Sequence, residues 1–472
     1  MHRSFRKTKI VCTIGPATAS LTALKQLIRA GMNVARLNFS HGDHKAHRET
    51  IKKIRQAARE ERRPVGILQD LAGPKIRLGR ISERRLIAGE EVVLVSGSET
   101  SDDALPVNYP YLYQDLSEGE SILMADGRVE LQVLEVNENH IRAKVVNGGT
   151  LAANKGVNLP ASDLRIPAFT DKDREDLEFG LAECVDFVAM SFIRHEKDLE
   201  PLRERISKSD GRPLIVAKIE KPQAVSRLEP IIAAVDGVMV ARGDLGVEMP
   251  LEGVPLIQKK IILEARTAGK VVITATQMLG SMVENPRPSR AEVTDVANAI
   301  LDGTDAVMLS EETAVGKYPV KAVAMLDRVA TRTESSLDPK RFLKDDISKN
   351  LPLSDAAVSR AAAWMANDLS ADLIVAATTS GSTARVMSRL RPPIPIIGLT
   401  ANPKTHRQLC LSYGVIHALV PAYDDFDELL WQVNSYLKKE ALTQRGSCVV
   451  LTAGAPLNVP GTTNLIKVLE IE

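Results

Sequence analysis

Eight short runs rich in valine and isoleucine, seven of them delivering polar or charged residues at their ends and all separated by segments of helical period, constrain this chain most. They are K-I-V-C-T-I-G from Lys9, N-V-A-R-L-N-F-S from Asn33, V-G-I-L-Q-D from Val65, F-V-A-M-S-F from Phe187, L-I-V-A-K-I-E from Leu214, G-V-M-V-A-R-G-D from Gly237, V-V-I-T-A-T-Q from Val271 and A-V-M-L-S-E-E from Ala306. Nearly continuous apolar runs suit strands buried on both faces, and helical crossovers between them imply parallel pairing. Eight such units predict a closed (β/α)8 TIM barrel. The carboxyl ends of its strands share one rim, where active sites are built. Delivered there are Arg36 and Asn38, Asp70, Ser191, Lys218 and Glu220, Arg242 and Asp244, Thr276, and Ser310 and Glu312.

The rhythm breaks from about Leu71 to Ala168. Alternating runs such as V-V-L-V-S and V-E-L-Q-V-L-E-V, with turn signals at Asp126-Gly127 and Asn147-Gly148-Gly149, predict a small β-barrel domain inserted after the third strand as a lid over the rim. From about Arg341 a second βα set begins, with a helix from Ser354, strands D-L-I-V-A-A-T-T, I-P-I-I-G-L-T, V-I-H-A-L-V-P and S-C-V-V-L-T-A, and a closing L-I-K-V-L-E-I. The polar S-S-L-D-P-K-R-F-L-K-D-D ahead of it reads as a linker. The expected class is α/β: residues 1–70 with 169–340 as the barrel, 71–168 as the lid, and 341–472 as a C-terminal open α/β domain.

A chain of 472 residues exceeds one core, at about 100–200 residues per domain. Its 61 basic and 60 acidic residues leave no field for nucleic acid or an anionic membrane, so small molecules are the expected partners. Cys12, Cys184, Cys410 and Cys448 lie far apart and read as reduced core thiols. No apolar stretch approaches the roughly 18 residues of a membrane span, and M-H-R-S-F-R-K-T-K leads into nothing resembling a signal peptide, so a cytoplasmic location is expected.

At the rim, Lys218 and Glu220 stand two residues apart and therefore point to one side of their strand, with Asp244 arriving from the next. Two carboxylates completed by substrate oxygens and water suit Mg²⁺, and a lysine beside them supplies a point charge for a phosphoryl group. With Arg36 the set suits phosphoryl transfer, where catalysis is mainly positioning and charge neutralisation. Gly243 and Gly246 let backbone N–H groups approach a carboxylate. Arg-Gly-Asp alone reads better as a structural turn with a surface ion pair. Seven strand ends carrying such groups weigh against that reading.

Taken together, T-K-I-V-C-T-I-G-P-A, A-R-L-N-F-S-H-G, G-P-K-I-R, N-K-G-V-N-L-P, A-K-I-E, M-V-A-R-G-D-L-G-V-E, A-T-Q-M-L, P-R-P-S-R-A-E-V-T-D-V-A-N-A and D-G-T-D-A-V-M-L-S-E-E-T-A make the chain resemble the pyruvate kinase family over essentially its whole length. The resemblance implies Mg²⁺-dependent transfer of the phosphoryl group of phosphoenolpyruvate to ADP, giving pyruvate and ATP in the last step of glycolysis, with Mn²⁺ able to substitute. It implies Glu220 and Asp244 as metal ligands, Lys218 and Arg36 on the phosphoryl group, the amides of Gly243 and Asp244 with the Thr276 hydroxyl on the substrate carboxylate, and Thr276 in proton delivery. For the nucleotide it implies Asn38, Phe39, Ser40, His41, Arg77 and Lys155, and more weakly Asp126. It also implies a homotetramer and a phosphorylated allosteric effector, and no added C-terminal phosphohistidine-like domain is expected. A Mg²⁺-dependent lyase or aldolase of the phosphoenolpyruvate/pyruvate barrel type is the alternative, but it leaves the lid, Lys155 and Lys218 without a use. A catalytically silent barrel serving as a metabolite sensor would be expected to lack Lys218, Glu220 or Asp244, and all three are present.

Three local features refine the resemblance. Many members bind K⁺ near the residues matching Asn38, Ser40, Asp70 and the Leu71 carbonyl and carry a glutamate where this chain has Lys75. The Lys75 ammonium is therefore expected to stand in for K⁺, with an exposed, solvated lysine on the hinge as the competing reading. Glu311 replaces the usual glycine of L-S-G-E-T-A, an extra carboxylate expected either to alter the loop that carries Ser310 and Glu312 or to face solvent. Finally, Thr378, Thr379, Ser380, Gly381, Ser382 and Thr383 lie between a strand and a helix start near Thr383, a place suited to phosphate, with G-A-P-L-N-V-P-G-T-T-N opposite. This loop has no lysine or arginine of its own, which favours a monophosphate such as AMP, ribose 5-phosphate or glucose 6-phosphate over fructose 1,6-bisphosphate. An ordinary helix cap with no ligand is the competing reading.

Overall fold

A computed structural model describes residues 6–98, 104–209, 211–338, 342, 353–457, 459 and 462–471. Eight parallel strands close into a barrel: β1 (Lys9–Thr13), β2 (Val34–Asn38), β3 (Gly66–Asp70) and, after an insertion holding eight further strands, β12 (Phe187–Met190), β13 (Leu214–Ile219), β14 (Gly237–Ala241), β15 (Val271–Ala275) and β16 (Ala306–Leu309). The ring runs β1-β16-β15-β14-β13-β12-β3-β2, so all eight expected runs take their places in chain order. Helices Leu21–Ala30, His44–Glu60, Asp171–Ala182, Glu200–Ser207, Leu228–Ala233, Val254–Thr267, Arg290–Asp302 and Pro319–Glu334 surround it. Their apolar faces meet outward strand residues such as Ile10, Cys12, Ala35 and Val238 in one buried layer.

Alternate strand residues point into the barrel, and these sort by height. Val11, Val34, Leu68, Phe187, Ala189, Val216, Met239, Ile273 and Met308 fill the middle. One step on, Thr13, Arg36, Asp70, Ser191 and Lys218 form the upper layer, which is how strands of period two deliver five polar side chains to one rim. Below, Cys410 and Leu411 of the C-terminal domain complete the same apolar cluster and plug the floor.

The inserted segment holds β4 (Arg84–Leu86), β5 (Glu91–Ser96), β6 (Ala104–Val107), β7 (Ser121–Met124), β8 (Val129–Val136), β9 (Ile141–Asn147), β10 (Gly149–Leu151) and β11 (Val157–Asn158). Six of them form a sheet in the order β11-β7-β8-β9-β5-β6, while β10 pairs with β4. The two outer strands are joined through the entering chain, where Arg77 bridges to Gly156 and Leu78 to Val107, giving the small barrel-like ring expected.

The C-terminal sheet has the order β19 (Val415–Leu419), β18 (Ile396–Thr400), β17 (Leu373–Ala377), β20 (Cys448–Ala453) and β21 (Leu465–Glu470). It is open and parallel except for the antiparallel edge pair β20–β21. Helix Leu353–Asp368 begins one residue before the expected start. The expected domain boundary at Arg341 and most of the linker lie outside the described residues, as does part of Gly454 to Asn464. Across the floor, Lys9 Nζ donates to Val415 O at 2.8 Å, Arg407 pairs with Asp186 at 2.7 Å, and Arg391 donates to Thr304 O at 2.8 Å.

Candidate active site

The upper barrel layer is a connected charge network. Arg36 donates from Nε to Asp70 at 2.6 Å and from Nη1 to the Thr13 hydroxyl at 2.9 Å. Lys218 Nζ lies 2.7 Å from Glu220 Oε1, 2.7 Å from Ser191 Oγ and 3.5 Å from Asp70 Oδ1. Asp70 and Glu220 are each 1 % exposed. Burial alone would raise the Asp70 pKa, but Lys218 and Arg36 outweigh it and hold the carboxyl below its usual value. Burial likewise opposes the Lys218 charge, yet Asp70, Glu220 and Asp244 together keep it protonated and its pKa raised. Glu220 is pushed up to about 7, first by burial and then by Asp244, with Lys218 pulling the other way.

Glu220 Oε2 also accepts the Phe192 amide at 2.9 Å, which fixes the carboxylate. Asp244 is exposed and makes no hydrogen bond or ion pair among the described residues. Nor does any group of three or more His, Cys, Asp or Glu assemble among them as a metal cage. One anchored and one unengaged carboxylate at the mouth of a cleft fit a divalent cation that takes its other ligands from substrate and water.

Opposite, the Thr276 hydroxyl accepts the Gly243 amide at 2.7 Å, so the three groups expected on the substrate carboxylate are neighbours. Arg242 does not face the cleft. Its guanidinium turns back onto Asp295 at 2.6 Å and onto the carbonyls of Ala275 and Thr276, so of the charged pair in Arg-Gly-Asp only the aspartate reaches the site.

A cavity of about 310 Å³ lies between rim and lid. Lys75, Arg77, Asp126, Lys155 and Asp244 line it, as do Arg194 and Lys221. Sequence reading missed the last two. Lys221 directly follows K-I-E, and Arg194 lies three residues past Ser191, each just beyond a strand end already singled out. Lys75 is exposed at the cleft, and its pKa is lowered by desolvation and by the charges of Arg77 and Lys218, against the pull of Asp70 and Asp244. Asp70 itself pairs with Arg36 and Lys218.

The residues expected around K⁺ lie at or just past the ends of β2 and β3. Asn38 registers with Asp70 across β2 and β3, its side chain accepts the Ser40 amide at 3.1 Å, and the Leu71 carbonyl accepts the Ser191 hydroxyl at 2.9 Å. His41 is exposed, and its pKa is lowered by desolvation and then by Lys75, Arg77 and Arg36, the cations of the same cleft. Phe39 departs from the expected set. Its ring is buried and stacks on His47 at 4.1 Å, while its amide donates to Asp70 O at 3.0 Å and its carbonyl accepts Lys172 at 3.0 Å.

Glu312 is buried too, accepting the amides of Leu279 at 3.0 Å and Ser310 at 2.7 Å, and so pins a turn, while Glu311 faces solvent. In the C-terminal loop, Thr378 Oγ1 accepts the Gly381 amide at 2.9 Å, and Thr383 bonds Thr463 at 2.9 Å. The helix starts at Ser382, and Arg385, one turn on, donates to Ser380 O at 3.1 Å. The cavity beside this loop holds about 20 Å³ and has no basic lining residue among those described.

A lidded parallel barrel whose rim gathers cations around two metal-competent carboxylates is an enzyme built for phosphoryl transfer. Family models agree: "Pyruvate kinase, barrel domain" matches residues 5–323 and "Pyruvate kinase, alpha/beta domain" matches 356–469. The chain is 43 % identical to pyruvate kinase of Clostridium perfringens over 99 % of this chain and 100 % of that one. It is 44 % identical to the Mycobacterium tuberculosis enzyme over 99 % and 98 %. A solved pyruvate kinase from Cryptosporidium parvum superposes with a TM-score of 0.93 at 37 % identity, covering 99 % of this chain and 96 % of that one. The chain belongs to the pyruvate kinase family, and with it to the phosphotransferases, which sets aside the lyase alternative.

Proposed function

We propose that the cleft between rim and lid binds phosphoenolpyruvate and ADP and yields pyruvate and ATP, with Lys218 as its central catalytic group. The observation that carries this reading is the Lys218 ammonium, kept charged in a buried layer by Asp70 and Glu220 and fixed by Ser191. Such a group is preorganised for charge that develops on a moving phosphoryl group. Arg36, locked on Asp70 and Thr13, presents a second fixed cation. The amides of Gly243 and Asp244 and the Thr276 hydroxyl would hold the substrate carboxylate, and Thr276 would also pass a proton.

The family generally needs a divalent metal. Glu220 and Asp244 would hold it, as Mg²⁺ or Mn²⁺. Bound there, the ion would neutralise charge on substrate oxygens. Arg77, Lys155, His41 and Ser40, with Asn38 and Asp126, would receive the nucleotide. Lys75 would supply the charge that K⁺ supplies elsewhere among Asn38, Ser40, Asp70 and Leu71. A phosphorylated effector would bind at Thr378–Thr383, where the cavity must widen to admit it. Exposed Leu251, Leu256 and Leu263 on one barrel segment favour subunit contact in a homotetramer. No described helix is long and apolar enough to cross a membrane, and we assign the enzyme to the cytoplasm.

The deciding experiment is the initial rate of pyruvate formation from phosphoenolpyruvate, ADP and Mg²⁺ in K⁺-free buffer, then with KCl. A full rate before KCl is expected, and Lys75→Glu should make the rate depend on K⁺. Activity appearing only with KCl would refute the Lys75 role, and no activity under either condition, with candidate effectors present, would refute the catalytic reading.

A further inference from the structure

We propose that Arg242 is a positioning residue for the reaction, holding the turn after β15 in the shape that aims the Thr276 hydroxyl at the Gly243 amide. The proposal rests on the reading that these two groups receive the substrate carboxylate. Thr276 and Gln277 follow β15 with φ of 68° and 54°, two successive non-glycine residues in the left-handed region that L-residues avoid. Such conformations persist only where surrounding contacts over-determine them.

Here most of the contacts come from one side chain, beside the Thr276 hydroxyl's own bond to Ala275 O at 2.6 Å. Arg242 Nε donates to Ala275 O at 3.2 Å, and Nη2 donates to Thr276 O at 2.7 Å with Met278 Sδ 2.8 Å away. Nη1 donates to both carboxylate oxygens of Asp295 at 2.7 and 2.6 Å, with Gln258 Oε1 at 3.4 Å. Asp295 stands on helix Arg290–Asp302, whose start is locked by the Ser289–Glu292 capping box.

The guanidinium therefore ties the carbonyls of Ala275 and Thr276 to a fixed helix. On the other side of the same turn, the amide of the next residue, Gly243, bonds the Thr276 hydroxyl at 2.7 Å. Adjacent residues thus grip the turn from both faces, one by its carbonyls and one by its hydroxyl. A lysine cannot do this, because a single ammonium lacks the planar fork that reaches two carbonyls and a carboxylate at once.

The test compares Arg242→Met, Arg242→Lys, Gln277→Gly and the double variant Arg242→Met/Gln277→Gly in steady-state kinetics, with thermal unfolding of each. Gln277 is exposed, and glycine relaxes the left-handed backbone. Both Arg242 variants should lose roughly 10- to 100-fold in kcat, since misplacing a reactive group by about an ångström costs that much. Gln277→Gly alone should change little, and in the Arg242→Met background it should restore kcat several-fold.

A general loss of packing would not be relieved this way. Arg242→Met with full kcat, or with a loss that Gln277→Gly does not relieve, overturns the proposal. If Arg242→Met fails to fold, Asp295→Asn replaces it, with a smaller loss and the same relief expected. Thr276→Ala separates the two readings: full activity there overturns the carboxylate assignment and this proposal with it, whereas lost activity without rescue overturns this proposal alone.

Discussion

Lys218 and Glu220 stabilise one another in a place where neither would be tolerated alone. Removing one partner of a buried ion pair leaves an uncompensated charge, at a cost of about 3 kcal/mol or more. Lys218→Met should therefore lower stability by about that amount, and adding Glu220→Gln should recover much of it while activity stays at least roughly 10²-fold down. Thermal unfolding of the two variants checks this, and an equal loss in both would contradict it. The pair was readable in the sequence because residues spaced by two along extended chain share a face, and that direction carries from Lys218 in β13 to Glu220 just past its end. Glu312 was not readable, because a glutamate just past a strand end can face a cleft or turn inward to bond backbone amides. Only the packed chain shows that it accepts those of Leu279 and Ser310.

Among elements, the lid is fastened to the rim by a buried network. Asn158, in β11, donates to Glu248 Oε1 at 2.7 Å, and the same oxygen pairs with Lys221 at 2.6 Å. A hydrogen bond to a charged group contributes about 1.5–3 kcal/mol. Asn158→Ala should thus loosen lid closure and raise the KM for ADP by roughly ten-fold with a smaller change in kcat. Steady-state kinetics with ADP varied checks it, and an unchanged KM would count against the fastening role. The eight barrel strands were legible because buried parallel strands are apolar along their whole length. The lid's alternation and its turn signals were legible too. The join of β11 to β6 through Arg77 and Leu78 was not, since two isolated bridges leave no periodic trace.

For the whole molecule, the joint between barrel and C-terminal domain carries a buried lysine. The Lys9 pKa is lowered to about 8, chiefly by burial, against a usual value of 10.5. Between those values the unfolded chain binds more protons than the folded one, so this group makes stability rise with pH across that window, by up to about 3 kcal/mol. Denaturant unfolding at pH 7.5, 9 and 10.5 should show that rise, and Lys9→Met should flatten it. The same slope in both proteins would contradict the assignment. Sequence patterning revealed the two domains but not their joint, because the plug of Cys410 and Leu411 comes from a segment that reads as ordinary core.

That plug has an electrical consequence. With its floor stoppered by side chains, the barrel interior is an apolar column holding the charged layer at its open end. Water can polarise around Arg36, Lys218 and Asp70 from above only, so their field lines leave through the mouth of the cleft. A chain with almost no net charge can in this way build a strong potential at one point, like a lens set at the end of an insulating tube.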